Sequence, residues 1–248
     1  MLESRLGREK EKSSDYRMSS FGTACDRKMW YSVNKPETRE PLTPQSYLKF
    51  LYGDIIEEVI LELAEEAGHE VLGMQDELEL NGVFGHRDAV IDGVTIDVKS
   101  ANSRSFQKFK KSLKDLRDDI WFTAYIDQLQ MYLEASKDDP LVRIKKVGGF
   151  LAVDKELGHI TLKLVPKTED NWPERIDLKK QMVENSEPPE RAFKDVEDGM
   201  SGNRKLVTYC SYCQFKKECW PGVRTFAAAG GPKHLTVVKK EPNILEIT

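Results

Sequence analysis

Residues 83–100 read VFGHRDAVIDGVTIDVKS, and this stretch decides the fold. Two runs rich in β-branched and apolar residues flank Asp92-Gly93, the strongest short-range signal for a two-residue hairpin turn. With Asp92 and Gly93 as the turn, Ile91 faces Val94, Val90 faces Thr95 and Ala89 faces Ile96. One step further, Asp88 faces Asp97. Directly opposed residues of an antiparallel pair stand roughly 5 Å apart at Cβ, and like charges placed so are destabilising unless something offsets them.

A divalent cation would provide that offset. Side chains alternate along a strand, so Lys99 projects from the same face as Asp97, while Val94, Ile96 and Val98 point to the core. Mg²⁺ is commonly held by one or two carboxylates together with substrate phosphates. Two acids and a lysine on one surface therefore suggest phosphodiester hydrolysis.

Working outward, residues 99–117 (KSANSRSFQKFKKSLKDLR) place Lys99, Arg104, Lys108, Lys110, Lys111, Lys114 and Arg117 beside the acids, with no acidic residue before Asp115. The formal net charge of the 248 residues is −4, which does not advertise nucleic-acid binding, but this local stripe suits phosphate tracking, with Lys108 and Lys111 as candidate contacts. No apolar run approaches the roughly 20 residues needed to cross a bilayer, and the N-terminus lacks the apolar core of a signal peptide. An intracellular protein is expected, in the cytoplasm of a bacterium or of a virus-infected host, with no membrane partner.

The order of elements predicts an α+β protein with a central mixed sheet flanked by helices. A capped helix is expected from Ser19 or Ser20 through Met29 and Trp30. A longer one spans about 44–67, with Leu48, Leu51, Ile55, Val59 and Leu63 at helical spacing and Gly68 as its stop. Glu57 lies one turn beyond Gly53 on that helix. A strand over 71–80 leads into the hairpin. A helix over 120–135 follows, where Gln128 and Tyr132 at i and i+4 can reach one ligand. A hairpin of 147–153 with 160–165 and a polar helix near 172–183 complete the body. The expected division is a loose arm over 1–18, one domain over 19–225, and a linker and tail over 226–248.

The cysteines supply a second signal. Cys210, Cys213 and Cys219 form C-x2-C-x5-C, and Cys25 is the remaining cysteine of the chain. Three cysteines in ten residues of an intracellular chain read as metal ligands rather than disulfides. Four thiolates suit either zinc or an iron–sulfur cluster. The split of one against three favours a [4Fe-4S] cluster, with zinc as the alternative.

Taken in order, Cys25, Gly53 to Glu57, Gly85 to Asp88, Asp97 to Lys99, Gln128 to Tyr132 and the three terminal cysteines make a pattern over about residues 19–220. It resembles the RecB-type branch of the PD-(D/E)XK nucleases, and within it the iron–sulfur members: the CRISPR adaptation exonucleases, the AddB nuclease domain and viral relatives. That resemblance implies a restriction-endonuclease-like core. Asp88, Asp97, Glu57 and the Val98 carbonyl would hold Mg²⁺ or Mn²⁺, Lys99 would orient the attacking water, and Gln128 and Tyr132 would position DNA. Two residues depart from the pattern: Glu57 stands where many iron–sulfur relatives carry His, and Asp97 where Glu is commoner. The implied activity is a DNA exonuclease on single strands or duplex ends, acting in recombination, repair or processing, with a helicase or recombinase as a possible partner. Its rivals are a DNA-binding assembly subunit and a structure-selective endonuclease on the same core.

Overall fold

The computed structural model describes residues 16–247, so most of the expected N-terminal arm lies outside the described residues. The described residues divide into two compact units, one of 16–24 and 43–181, the other of 25–42 and 182–247.

In chain order the elements are helices α1 (Met18–Phe21), α2 (Asp26–Asn34) and α3 (Pro44–Glu66), strands β1 (Val71–Leu72), β2 (Glu77–Leu80), β3 (Val83–His86), β4 (Ala89–Ile91) and β5 (Val94–Ala101), helices α4 (Ser103–Phe109), α5 (Leu113–Arg117) and α6 (Ile120–Ala135), strands β6 (Val147–Asp154) and β7 (Ile160–Pro166), helix α7 (Trp172–Glu184), strands β8 (Val196–Glu197) and β9 (Arg204–Lys205), helices α8 (Thr208–Ser211) and α9 (Lys216–Cys219), and strands β10 (Arg224–Ala228), β11 (Gly231–Val237) and β12 (Glu246–Ile247).

The first unit is built on a five-stranded mixed sheet in the order β1-β4-β5-β6-β7. The β4–β5 hairpin has the register expected from its turn, with Ala89 on Ile96, Val90 on Thr95 and Ile91 on Val94. Asp92 and Gly93 both have positive φ, at 50° and 83°, as the favoured two-residue turn requires. β5 then pairs in parallel with β6, Asp97 beside Phe150. A parallel neighbour needs a crossover, and α4, α5 and α6 supply it.

The sheet is covered on both faces. On one, Ile96 and Val98 of β5 pack with Ala89 and Val71 against Ile60 and Leu61 of α3. On the other, Phe150 and Ala152 of β6 join Phe106, Phe109, Phe122, Ile126 and Leu129 of the crossover helices. Asp97 and Lys99 point to this second side, where Tyr125 of α6 lies 5.0 Å beneath the Lys99 ammonium.

Several elements differ from the sequence expectation. The helix foreseen from Ser19 is two helices, because the chain breaks at Gly22 to Cys25 and Cys25 becomes the N-cap of α2. The strand over 71–80 is interrupted where Gly73 and Gln75 take positive φ and the buried Arg87 guanidinium bonds to the Gly73 carbonyl and Asp76. On α3 the buried residues are Ile60 and Leu61, while Leu48, Ile55, Val59 and Leu63 remain substantially exposed. The segment read as linker and tail contributes β10, β11 and β12 to the second unit, whose five-stranded sheet runs β12-β10-β11-β9-β8.

Gly85 is fixed by a close approach. A Cβ there would lie 2.8 Å from Cε1 of Tyr132 and 3.1 Å from the Met18 sulfur, and both neighbours are buried. Gly85→Ala should therefore cost about 1–3 kcal/mol, the usual range for forcing an extra methyl into a filled core, measured as a shift in chemical denaturation of the first unit.

Candidate active site

The site is assembled around residues 85–88. Three anchors hold this segment. The Tyr132 hydroxyl donates to the His86 carbonyl (2.8 Å), and Gln128 Nε2 lies 2.6 Å from that hydroxyl. The Arg87 guanidinium, 1% exposed, pairs with Asp76 (2.6 Å) and Asp139 (2.5 Å) and donates to the Gly73 carbonyl. The backbone N–H of Val98 donates to Asp88 Oδ2 (2.6 Å), which ties Asp88 across to β5 one step beyond the hairpin ladder, opposite Asp97.

Asp88 and Asp97 are thus neighbours in a dry place. Burial first, and then the Asp97 carboxylate, push Asp88 well above the usual carboxylate range, with Glu57 adding to the effect and Lys99 opposing it. Lys99 Nζ stands 2.5 Å from Asp97 Oδ2, a close and largely buried ion pair. Burial disfavours the Lys99 charge, yet the Asp97 and Asp88 carboxylates outweigh it and hold the ammonium above its ordinary pKa. Glu57 comes from α3, with Gln75 Nε2 bonded to its Oε1 (2.6 Å).

The structure brings together Glu57, Asp88, Asp97, Lys99 and Tyr132. Tyr132, however, does not present its hydroxyl to a ligand: it is 3% exposed, spends its proton on His86, and is held protonated by burial and then by the Asp97 charge. Gln128 is committed to Tyr132. Among the basic residues, Lys108 gives its ammonium to Asp119 (2.5 Å) and is not a free cation, whereas Lys111 is exposed. Arg87 escaped the sequence reading. It sits inside the Gly-x-x-Asp segment, but its partners Asp76 and Asp139 are recognisable only once the fold joins them.

The donor set suits a hard cation: two opposed carboxylates, one of them paired with Lys99, a third carboxylate nearby and the Val98 carbonyl between Asp97 and Lys99. Among the described residues no three His, Cys, Asp or Glu side chains already converge on one ion. An ion that keeps several waters and also takes substrate phosphate does not need such a cage.

In the second unit, Cys25, Cys210, Cys213 and Cys219 line one pocket with Tyr31 and Phe215. Cys25 opens α2, Cys210 lies in α8 and Cys219 ends α9. Trp30, Tyr31 and Phe215 form a buried aromatic wall against which Cys213 and Cys219 pack. Burial, followed by the charges of the other three thiols, pushes Cys210 up to about 12. Cys25 and Cys213 are also raised, mainly by burial.

No protein-family model matches the chain and no curated protein matches it. Among solved structures, the crystal structure of SSO0001 is similar over 88% of this chain and 91% of that one, at 18% identity and a TM-score of 0.48. The crystal structure of an alkaline exonuclease, LHK-Exo from Laribacter hongkongensis, is similar over 54% of this chain and 68% of its own, at 15% identity and a TM-score of 0.41. LHK-Exo in complex with dAMP is similar over 68% and 87%, at 15% identity and a TM-score of 0.37. At such identities and scores these likenesses assign no chemistry, which must come from the chain's own residues. Among the described residues no helix is long and apolar enough to cross a membrane.

The raised Asp88 carboxyl has a consequence for stability. Its native form binds a proton more tightly than the unfolded chain does, so its contribution is most favourable in acid and is lost as pH climbs from the ordinary carboxylate range through the native value. Asp88→Asn should therefore melt higher than the parent at pH 7 in chelator, by roughly 2–4 °C per kcal/mol of relieved repulsion. Scanning calorimetry should find that difference shrinking toward pH 4.

Proposed function

We propose that the chain is a divalent-metal-dependent deoxyribonuclease, an exonuclease that hydrolyses phosphodiester bonds of single-stranded DNA or of duplex ends in recombination, repair or DNA processing. One observation carries the reading: Asp88 is bound to the Val98 N–H opposite Asp97, with Lys99 on the Asp97 face. The single Lys99 ammonium balances only one of the two buried carboxylates, and natural chains seldom leave a buried charge unbalanced.

Asp88, Asp97, Glu57 and the Val98 carbonyl would hold Mg²⁺ or Mn²⁺. When bound, the cation supplies Lewis-acid polarisation of the phosphate and a water of lowered pKa. Lys99 contributes as a cation, not as a base, because its partners keep it protonated far above neutral pH. It faces the charge that develops on the phosphate oxygens and orients the attacking water, an electrostatic role of the kind that costs about 10²–10³ in rate when one donor is removed. Tyr132 and Gln128 work at one remove. Through the His86 carbonyl they fix residues 85–88 and thereby the Asp88 carboxylate.

At the four cysteines we propose a [4Fe-4S] cluster, with zinc as the alternative. The four thiols share a pocket, and in such a cluster each iron takes one thiolate. Raised thiol pKa values mean that loading must displace protons. The cluster's role would be structural, joining α2 to the C-terminal segment.

Two experiments test these assignments. With Mg²⁺ or Mn²⁺, anaerobically purified protein should degrade an end-labelled linear single strand and spare the same strand as a circle, and Lys99→Ala should slow degradation by about 10²-fold or more. Loss of the circle would mean endonuclease action, and no cleavage of either form would remove the nuclease assignment. Elemental analysis should find iron and acid-labile sulfide in equal amounts, lost in Cys213→Ser; zinc without sulfide would favour the alternative.

A further inference from the structure

A groove runs along the N-terminal half of α3. Leu48, Lys49, Tyr52 and Ile56 form its helix side, and Lys155 with Glu156, from the β6–β7 turn, its other side. Its volume, roughly 540 Å³, falls within the range of small-molecule sites. Leu48 and Tyr52 are about half exposed, at 48% and 49%. Neither lysine has an ion-pair partner and Tyr52 has no ring partner among the described residues. Glu156 accepts from the N–H of Ser103 at the start of α4 (3.2 Å), and two lysines against this one carboxylate leave the groove's lining net positive.

The helix that lines the groove also carries Glu57, whose charge acts on Asp88. Ile56 precedes Glu57, and Gly53, next to Tyr52, looks across at Ser100, where even an added Cβ would remain 3.8 Å from the hydroxyl. Ser100 follows Lys99 on β5, its side chain on the α3 face and that of Lys99 on the other. An open, half-exposed aromatic ring with a lysine on either side, leading to a phosphate-cleaving centre, has the chemistry of a stacking platform. Every base offers a π-face, and each stacked base contributes about 1–3 kcal/mol without regard to its identity.

We propose that this groove holds the single strand next to the scissile phosphate, one base stacked on Tyr52 between Leu48 and Ile56, with Lys49 and Lys155 on the flanking phosphates. The proposal rests on the nuclease reading and adds to it the path of the strand. It also makes single-stranded DNA the bound form, since paired bases cannot offer a face to Tyr52, and it assigns no base preference.

The same side of α3 continues into exposed Ile55, Val59 and Leu63, a stripe that a protein partner could also cover. One experiment separates the two. A fluorescent oligothymidylate of about 20 nucleotides is titrated with the full chain in chelator, so that nothing is cut, and anisotropy is read for the parent, Tyr52→Ala, Tyr52→Phe and the double variant Lys49→Ala, Lys155→Ala. The groove predicts affinity about tenfold weaker or more for Tyr52→Ala, near-parental affinity for Tyr52→Phe, and a flatter salt dependence for the double lysine variant. Unchanged affinity in Tyr52→Ala overturns the proposal. If sedimentation then finds that Tyr52→Ala has changed oligomeric state instead, the face is a protein interface. A parent that cuts no DNA but loses binding in Tyr52→Ala removes the nuclease assignment and leaves the groove standing.

Discussion

The confrontation of Asp88 with Asp97 is the constraint on which the rest of the first unit depends. Two carboxylates in a dry sheet repel, and the chain applies several interactions to keep them there. The hairpin turn sets their register. The Val98 N–H fastens Asp88 to β5, and the buried Arg87 fork and the Tyr132 hydroxyl clamp the residues just before it. Such an arrangement stores unfavourable electrostatics at one point and offsets them by packing and hydrogen bonding around it. This is the usual relation between a functional site and its scaffold.

The second unit follows a different logic. Its strands are short, and its aromatic cluster is small: Trp30, Tyr31 and Phe215. Cys25 at the start of α2 meets Cys210, Cys213 and Cys219 of the distant α8–α9 segment in one pocket. A ligand bridging four thiolates would close the long loop from Cys25 to Cys210, and long loops are where a crosslink restrains the unfolded state most. Backbone hydrogen bonds hold the segments that carry the cysteines: Arg191 donates to the Cys219 carbonyl, and the Cys25 carbonyl accepts from Lys28 and Met29 in the first turn of α2.

Much of this was legible before any coordinates. The Asp-Gly turn fixed a register, the register opposed two acids, and the period of two put Lys99 beside Asp97. Helix α6 matches its sequence expectation over 120–135, with Asp119 accepting from the Trp121 N–H as its cap. Other parts could not be read. On α3, apolar residues lie around most of the circumference, so periodicity could not distinguish the face that packs, Ile60 and Leu61, from the exposed stripe of Ile55, Val59 and Leu63. On α6 the fully buried glutamine is Gln130, satisfied by the Pro166 carbonyl and the Thr168 N–H, and nothing local to the sequence separates it from Gln128. Arg87 looks like any strand-end arginine until Asp76 and Asp139 close on it. The tail reads as a linker because AAAGG is flexible in composition, whereas Ala229 and Gly230 form a tight turn that joins β10 to β11.

The central claim is that the opposed carboxylates exist to hold a cation. Titrating Mn²⁺ into the metal-free protein, with the free ion followed by electron paramagnetic resonance, tests it most directly. The account predicts a site present in the parent and lost in both Asp88→Asn and Asp97→Asn, with all three proteins folded. A parent that binds no Mn²⁺, or variants that bind it as well as the parent does, would contradict it.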